Sequence, residues 1–344
     1  MGKPKHILVI RLSAMGDVAM TVPVLRVLLD TYPDLKITML SRGFFKPFFK
    51  EFPQVDFLEA DVYGEHKGIL GLIKLAKEAK RLNIDAVADL HQVLRSKVMN
   101  TYFAYKALPI ARINKGRKEK KAITNAKGGS ISPLKTTHQR YADVFGDLGL
   151  SIDLNNYHYP PKPVADNKLN GILIQGRKYI GVAPFAAFES KQYPLDKIKE
   201  ILSRLSKTDT YQVILFGGGE KEITVLEQLA STFENTISIA GKFDFETELN
   251  LIAQLDIMVS MDSGNGHLAA LFDVPVLTLW GNTHPYVGFT PFAQPGSHQL
   301  LADRTQYPLI PTSVYGNKMP EGYEKVMYSI PANIVVDKIN EIID

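Results

Sequence analysis

Asp17 follows Gly16 at the point where the apolar run HILVI (6–10) gives way to a helical stretch. A carboxylate at the end of a parallel strand can take a proton from a substrate hydroxyl, and Gly16 would let that substrate approach the turn closely. The same Asp is equally suited to be an ordinary helix N-cap. The stretch 256–281, DIMVSMDSGNGHLAALFDVPVLTLWG, offers a second kind of chemistry. Its turn, Asp262-Ser263-Gly264-Asn265-Gly266, separates a β-branched apolar run from the helical spacing of HLAALF. Backbone N–H groups at such a helix start, beside glycines that allow close approach, make a seat for phosphate. His267 lies one turn inside that helix, and Asp262 and Ser263 could cap it as well as touch a ligand. Lys191, in the loop PFAAFESKQYP (184–194), could offset the charge of a departing diphosphate, or could simply be solvated. Gly217-Gly218-Gly219 ends another apolar run, and Glu220 or Glu222 just beyond could take a ribose hydroxyl.

Several other chemistries lack their residues. Gly264-Asn265-Gly266-His267-Leu268-Ala269 fits the dinucleotide fingerprint, but no Asp or Glu occurs between Asp273 and Asp303 to hold a ribose. Asp-x-Asp, the P-loop, the zincin helix and the nucleophile elbow are all absent. There are no cysteines, which excludes disulfides and thiolate metal sites and fits a reducing compartment. The five-residue apolar run before Arg11 is too short for a secretory signal, and a cytoplasmic location is expected.

These groups need a scaffold that brings strand ends together. Strands are expected at 6–10, 36–40, 55–60, 85–90 and 108–113, with helices at 18–29, 68–82, 91–105 and 138–150. A second series has strands at 179–184, 211–217, 236–241, 256–260 and 275–280, with helices at 195–205, 221–233 and 246–255. Residues 282–324, rich in Pro, Gly and Tyr, read as loops over a site. The expected fold is α/β, two Rossmann-like doubly wound parallel sheets facing a central cleft, with ligands at the carboxyl ends of the strands. The domains are drawn at 1–160 and 161–330, with 331–344 as a helix that could pack back on the N-terminal domain. Net charge is +4, but Arg112, Lys115, Arg117, Lys118, Lys120 and Lys121 crowd one segment. That run is either a solvated loop or a basic lip for an anionic acceptor or membrane surface. No aromatic residues interleave with it, so nucleic acid is not expected.

As a set, these motifs resemble glycosyltransferase family 9, the ADP-heptose:lipopolysaccharide heptosyltransferases. The resemblance rests on ILVIRLSAMGDVAMTVPVLRVL, DAVADLHQVLRSKVMNTYFA, PFAAFESKQYP and VSMDSGNGHLAALFDVPVLTLWGNTHP, in that order. Tyr193 stands where the family usually has Trp, and Ala186 and Ala187 stand where hydroxyl residues are common. The resemblance implies a GT-B fold with acceptor on the first domain and sugar nucleotide on the second. It implies an inverting transfer without metal or cofactor. The acceptor is expected to be an anionic glycolipid of the lipopolysaccharide-core kind, and the basic segment 112–121 could hold the enzyme loosely at the inner face of the cytoplasmic membrane. Asp17 matches the family's base, Lys191 its phosphate-binding lysine, and 262–267 its donor block. Gly16, Gly217, Gly218, Glu220 and Glu222 join Asp262, Ser263, Gly264, Gly266 and His267 as donor candidates. Ser13, Arg95, Lys97, Arg112 and Arg140 are candidates for the acceptor's anionic groups. A sugar-nucleotide epimerase on the same fold and a non-catalytic nucleotide-sugar binder are the alternatives.

Overall fold

The computed structural model describes residues 2–343, so the outermost domain bounds, at 1 and 344, lie outside the described residues. The chain divides into two compact units, Met1–Lys115 with Thr136–His158, and Gly116–Lys135 with Tyr159–Asp344.

The first unit begins with β1 (His6–Ile10), whose apolar run is buried on both faces as the centre of a parallel sheet requires. A single helix over 18–29 was expected there, but two form, α1 (Met15–Ala19) and α2 (Thr21–Thr31). Pro23 explains the break, since it has no N–H to donate to the Ala19 carbonyl one turn earlier. Next come β2 (Lys36–Ser41), β3 (Val55–Glu59), α3 (Gly68–Arg81), β4 (Ala86–Asp89), α4 (Leu94–Tyr105) and β5 (Ile110–Arg112). The five strands are all parallel, in the order β3-β2-β1-β4-β5. Register pairs Ile7 with Ile37 and Val9 with Ala88, placing β1 between β2 and β4.

The basic segment is not one loop. It continues from β5 into a helix, α5 (Arg117–Thr124), which belongs to the second unit, and the chain returns to the first for α6 (Thr137–Asp147). Lys120 and Ile123 turn inward, and the Lys120 ammonium sits 3.9 Å from the Phe289 ring centre. The Leu134 N–H donates to the Tyr286 carbonyl at 2.9 Å, fixing the end of this excursion.

The second unit runs β6 (Lys178–Ala183), α7 (Leu195–Leu205), β7 (Tyr211–Leu215), α8 (Glu220–Thr232), β8 (Thr236–Ser238) and α9 (Phe245–Ala253). It continues through β9 (Ile257–Met261), α10 (Gly264–Ala270), β10 (Val276–Trp280) and β11 (Gln299–Leu301) to α11 (Ala332–Ile343). Its parallel sheet has the order β11-β10-β9-β6-β7-β8. β11 falls inside the stretch read as loops; three residues are too few to show periodicity, and pairing with β10 makes it a strand. The helix α11, for which a return to the N-terminal domain was considered, buries Ala332, Val335 and Ile339 in the second unit's core, beside Ile198, Ile201 and Val259.

Candidate functional site

In the first unit, Ser13, Gly16 and Asp17 lie in the connection leaving the carboxyl end of β1. Asp17 is not the N-cap but the third residue of α1, and its Oδ2 accepts the Ala14 N–H at 3.3 Å. The buried Arg11 guanidinium reaches the same Oδ2 at 2.5 Å and donates from Nη1 to the Leu90 carbonyl at 2.7 Å. Asp17 keeps 30% of its side chain exposed, and its Oδ1 has no hydrogen-bond partner among the described residues. One carboxylate oxygen is thus fixed while the other can meet a hydroxyl. The Tyr141 O–H donates to the Asp17 carbonyl at 3.2 Å, which ties α6 to this turn.

Arg11 was not foreseen, and neither was the support from β4. Fully buried Asp89 accepts the N–H groups of His91 and Gln92 at 2.9 and 2.8 Å and the Asn100 amide at 2.6 Å. That network sets His91 against the β1 turn, where its Nδ1 accepts the Leu12 N–H at 3.4 Å. Burial, reinforced by the Arg11 and Lys115 charges, lowers the His91 pKa to about 3. Burial and Arg304 lower that of His284, in the second unit, to about 4. Both rings stay neutral in the folded chain at mild acidity, whereas the unfolded chain protonates them near 6.5. The unfolded state therefore binds more protons between about pH 6.5 and 4, and stability falls as pH drops through that window. Half-buried Glu248, raised to about 7 by lost solvation, opposes them by keeping a proton that the unfolded chain sheds above about 4.5. The two histidines outweigh it, so urea midpoints should fall between about pH 6.5 and pH 4, and His91→Asn, which retains an acceptor for Leu12, should flatten the trend.

The acceptor candidates divide. Arg95 and Lys97 are exposed on α4, after β4, and Arg112 is exposed at the end of β5, so all three share the sheet edge that carries Asp17. Arg140 is buried instead and donates from Nη1 to the Asn114 carbonyl at 3.1 Å, a contact that holds the β5–α5 connection.

In the second unit, Lys191, Gly217 to Glu222 and Asp262 to His267 follow β6, β7 and β9, which are neighbours in the sheet. Lys191 Nζ lies 3.4 Å from Asp262 Oδ2, with only 12% and 9% of the two side chains exposed. Capping by Asp262 and Ser263 was expected, but neither caps α10: Ser263 is the N-cap residue and makes no side-chain bond to the helix. The geometry sends Asp262 to Lys191 and leaves the Ser263 hydroxyl buried without a partner among the described residues. Thr283 and Ser313 carry buried hydroxyls in the same condition. They stand on the two loops that grip Ser190, one through the Asn282 N–H at 3.3 Å and one through the Gly316 carbonyl, which accepts the Ser190 hydroxyl. A Cβ at Gly316 would sit 2.6 Å from the Lys191 stem, and φ there is +80°, so glycine is what lets this loop lie on the lysine.

The glycines of the donor set have different jobs. Gly264 and Gly266 both fall in α10, and a Cβ at Gly266 would press on Ser260 Oγ at 2.6 Å and Val276 at 3.2 Å. Close packing on β9 and β10 therefore requires Gly266 whether or not a ligand does. His267 is buried on the same short helix. Glu222 accepts the Gly218 N–H at 2.9 Å and so ties down the Gly217–Gly219 turn, while Glu220 is exposed at the start of α8. Tyr193 is also structural: it is buried in the core and its O–H donates to the Ile330 carbonyl at 2.7 Å. Burial pushes its phenol pKa well above the ordinary value. Tyr193→Phe should cost about 1–2 kcal/mol in chemical denaturation, because the buried carbonyl loses its donor, and should leave nucleotide affinity unchanged.

Glu65, His66 and Glu78 place three possible metal ligands within 4.8 Å of one another. Their existing bonds account for them. His66 Nδ1 accepts the Asp61 N–H at 3.1 Å, so the neutral ring carries its proton on Nε2, which faces Glu78 at 3.2 Å, and Lys74 occupies Glu65.

A family model described as glycosyltransferase family 9 (heptosyltransferase) matches residues 135–318. Lipopolysaccharide heptosyltransferase 1 of Campylobacter coli is 26% identical over 299 residues, covering 81% of this chain and 85% of its own. Among solved structures, a glycosyl transferase family 9 protein from Veillonella parvula DSM 2008 superposes with a TM-score of 0.76 at 20% identity, covering 98% of this chain and 97% of that one. An Escherichia coli ADP-heptose LPS heptosyltransferase II superposes with a TM-score of 0.70 at 20% identity, covering 98% of each chain.

Proposed function

This chain belongs to glycosyltransferase family 9 and has the two-domain GT-B fold, and from that premise we propose that it moves heptose from ADP-heptose onto a lipopolysaccharide-core-like acceptor with inversion at the anomeric carbon. Asp17 Oδ1 takes the proton from the acceptor hydroxyl as that oxygen attacks the face opposite the diphosphate. Arg11 and the Ala14 N–H hold the carboxylate in the orientation this needs. Lys191 swings between Asp262 and the departing diphosphate, which the backbone around Ser263 and the Ser263 hydroxyl also contact. Lys97 and Arg112 meet anionic groups of the acceptor, which reaches the enzyme at the inner membrane leaflet.

The observation that carries this reading is the divided carboxylate of Asp17, with Oδ2 anchored and Oδ1 open at a strand end. The heptosyltransferase names of the relatives support the choice of donor and acceptor class. Charge neutralisation by Lys191 stands where a metal would otherwise be needed, so EDTA should leave the rate unchanged. The direct test incubates the enzyme with ADP-heptose and other nucleotide sugars, with and without a heptose-free core lipid, following nucleoside diphosphate release. Release that requires both ADP-heptose and the acceptor supports the proposal. Conversion of the donor without acceptor, or binding with no release, would overturn it.

A further inference from the structure

The exposed apolar side chains flanking the first unit's sheet fall at its two edges. Leu82 and Tyr105 close α3 and α4 at the edge where the strands begin. Phe44, Tyr63, Ile69, Leu70 and Leu94 instead lie in the segments that follow β2, β3 and β4, at the edge where the strands end. The exposure there is large: 83% for Leu70, 78% for Leu94 and 67% for Tyr63. Two arginines converge on the same place, with the Arg42 and Arg95 guanidinium carbons 5.4 and 5.8 Å from the Tyr63 ring centre. Neither is paired with a carboxylate among the described residues. Of the nearby acids, Asp61 is engaged by the N–H groups of Gly64 and Glu65, Glu65 by Lys74, and the exposed Glu59 carboxylate lies against Gly43 without pairing to either arginine.

Large apolar side chains left in water beside uncompensated guanidinium groups match the chemistry of an anionic bilayer surface, which offers phosphates over an acyl interior. The basic helix α5 lacks half of this combination. Its outward Arg117, Lys118 and Lys121 have no exposed large apolar neighbour on the helix. We propose that the strand-end face of the first unit docks on an anionic phospholipid bilayer. Leu70, Leu94, Ile69 and Phe44 enter the headgroup boundary, and Arg42 and Arg95 bind headgroup phosphates on either side of the Tyr63 ring. Asp17 follows β1, which lies between β2 and β4, so the docked edge is also the edge that carries the base. This inference deepens the reading of a lipid-borne acceptor, and vesicle binding tests it without any turnover.

The full chain should co-sediment with mixed phosphatidylcholine and phosphatidylglycerol vesicles, and far less with phosphatidylcholine alone. Arg42→Ala and Arg95→Ala should each weaken binding about fivefold. Leu70→Ser with Leu94→Ser should weaken it by at least about tenfold, with thermal unfolding unchanged because both positions are exposed. A triple Ala variant at Arg117, Lys118 and Lys121 should bind as the parent does. No sedimentation with the mixed vesicles, or a loss confined to the α5 triple variant, would overturn the proposal. An enzyme that sediments as expected but transfers no sugar would leave this surface standing and sink the catalytic reading alone.

Discussion

Asp17→Ala should lower the turnover of transfer by roughly 10²–10⁴-fold, the range expected when a positioned base is removed. Donor affinity should stay near the parent value, since the diphosphate contacts are assigned to Lys191 and the Ser263 turn. Alanine also strips the buried Arg11 of its carboxylate, so part of a loss could come from a displaced guanidinium. Asp17→Asn separates the two effects. Its amide oxygen can still accept from Arg11 and from the Ala14 N–H, but the side chain cannot take a proton at neutral pH. If Asp17 is the base, Asn should be nearly as inactive as Ala while melting close to the parent. An Asn variant within a few-fold of parental turnover would assign Asp17 to holding Arg11, and the base would have to be sought elsewhere.

The difference between what the residues announced and what the fold revealed follows from range in sequence. β1, β6, β9 and β10 are largely buried on both faces, so each appears as a mainly apolar run bounded by turn residues. The parallel order of their neighbours then places Asp17, Lys191 and Asp262 at strand carboxyl ends. The Arg11–Asp17 pair is six positions apart and could have been suspected from a cation directly after a buried strand. Its support could not: the bonds from Arg11 to Leu90 and from Leu12 to His91 each span 79 residues and exist only because β4 lies beside β1. The same limit applies to α5. Six basic residues in one segment reveal charge, but Lys120 was hidden because its partner is Phe289, far down the chain. The break at Met20 was legible in principle, since Pro23 cannot complete a continuous helix, and the apolar periodicity running through it concealed the signal.

Lys191→Ala should weaken nucleoside diphosphate binding by roughly 10–100-fold, the worth of a charge-assisted hydrogen bond. Turnover should fall by about 10²–10³, because the negative charge on the leaving group grows in the transition state. Loss of a buried ammonium also leaves Asp262 without its cation, so a general loosening of the loop could imitate the effect. Comparing ligands distinguishes the causes. If Lys191 acts on phosphate, calorimetry should find ADP affinity reduced and adenosine affinity unchanged; loosening of the loop over Ser190 would lower both. Lys191→Ala combined with Asp262→Asn removes the stranded charge and should restore stability without restoring ADP affinity. The buried ion pair is then intelligible as a device for the reaction cycle rather than for stability, which such pairs seldom supply. On the proposed mechanism, Asp262 holds the ammonium at the strand ends until a diphosphate, with more charge to offer, draws it away. Equal affinity of the parent and Lys191→Ala for ADP would end that account.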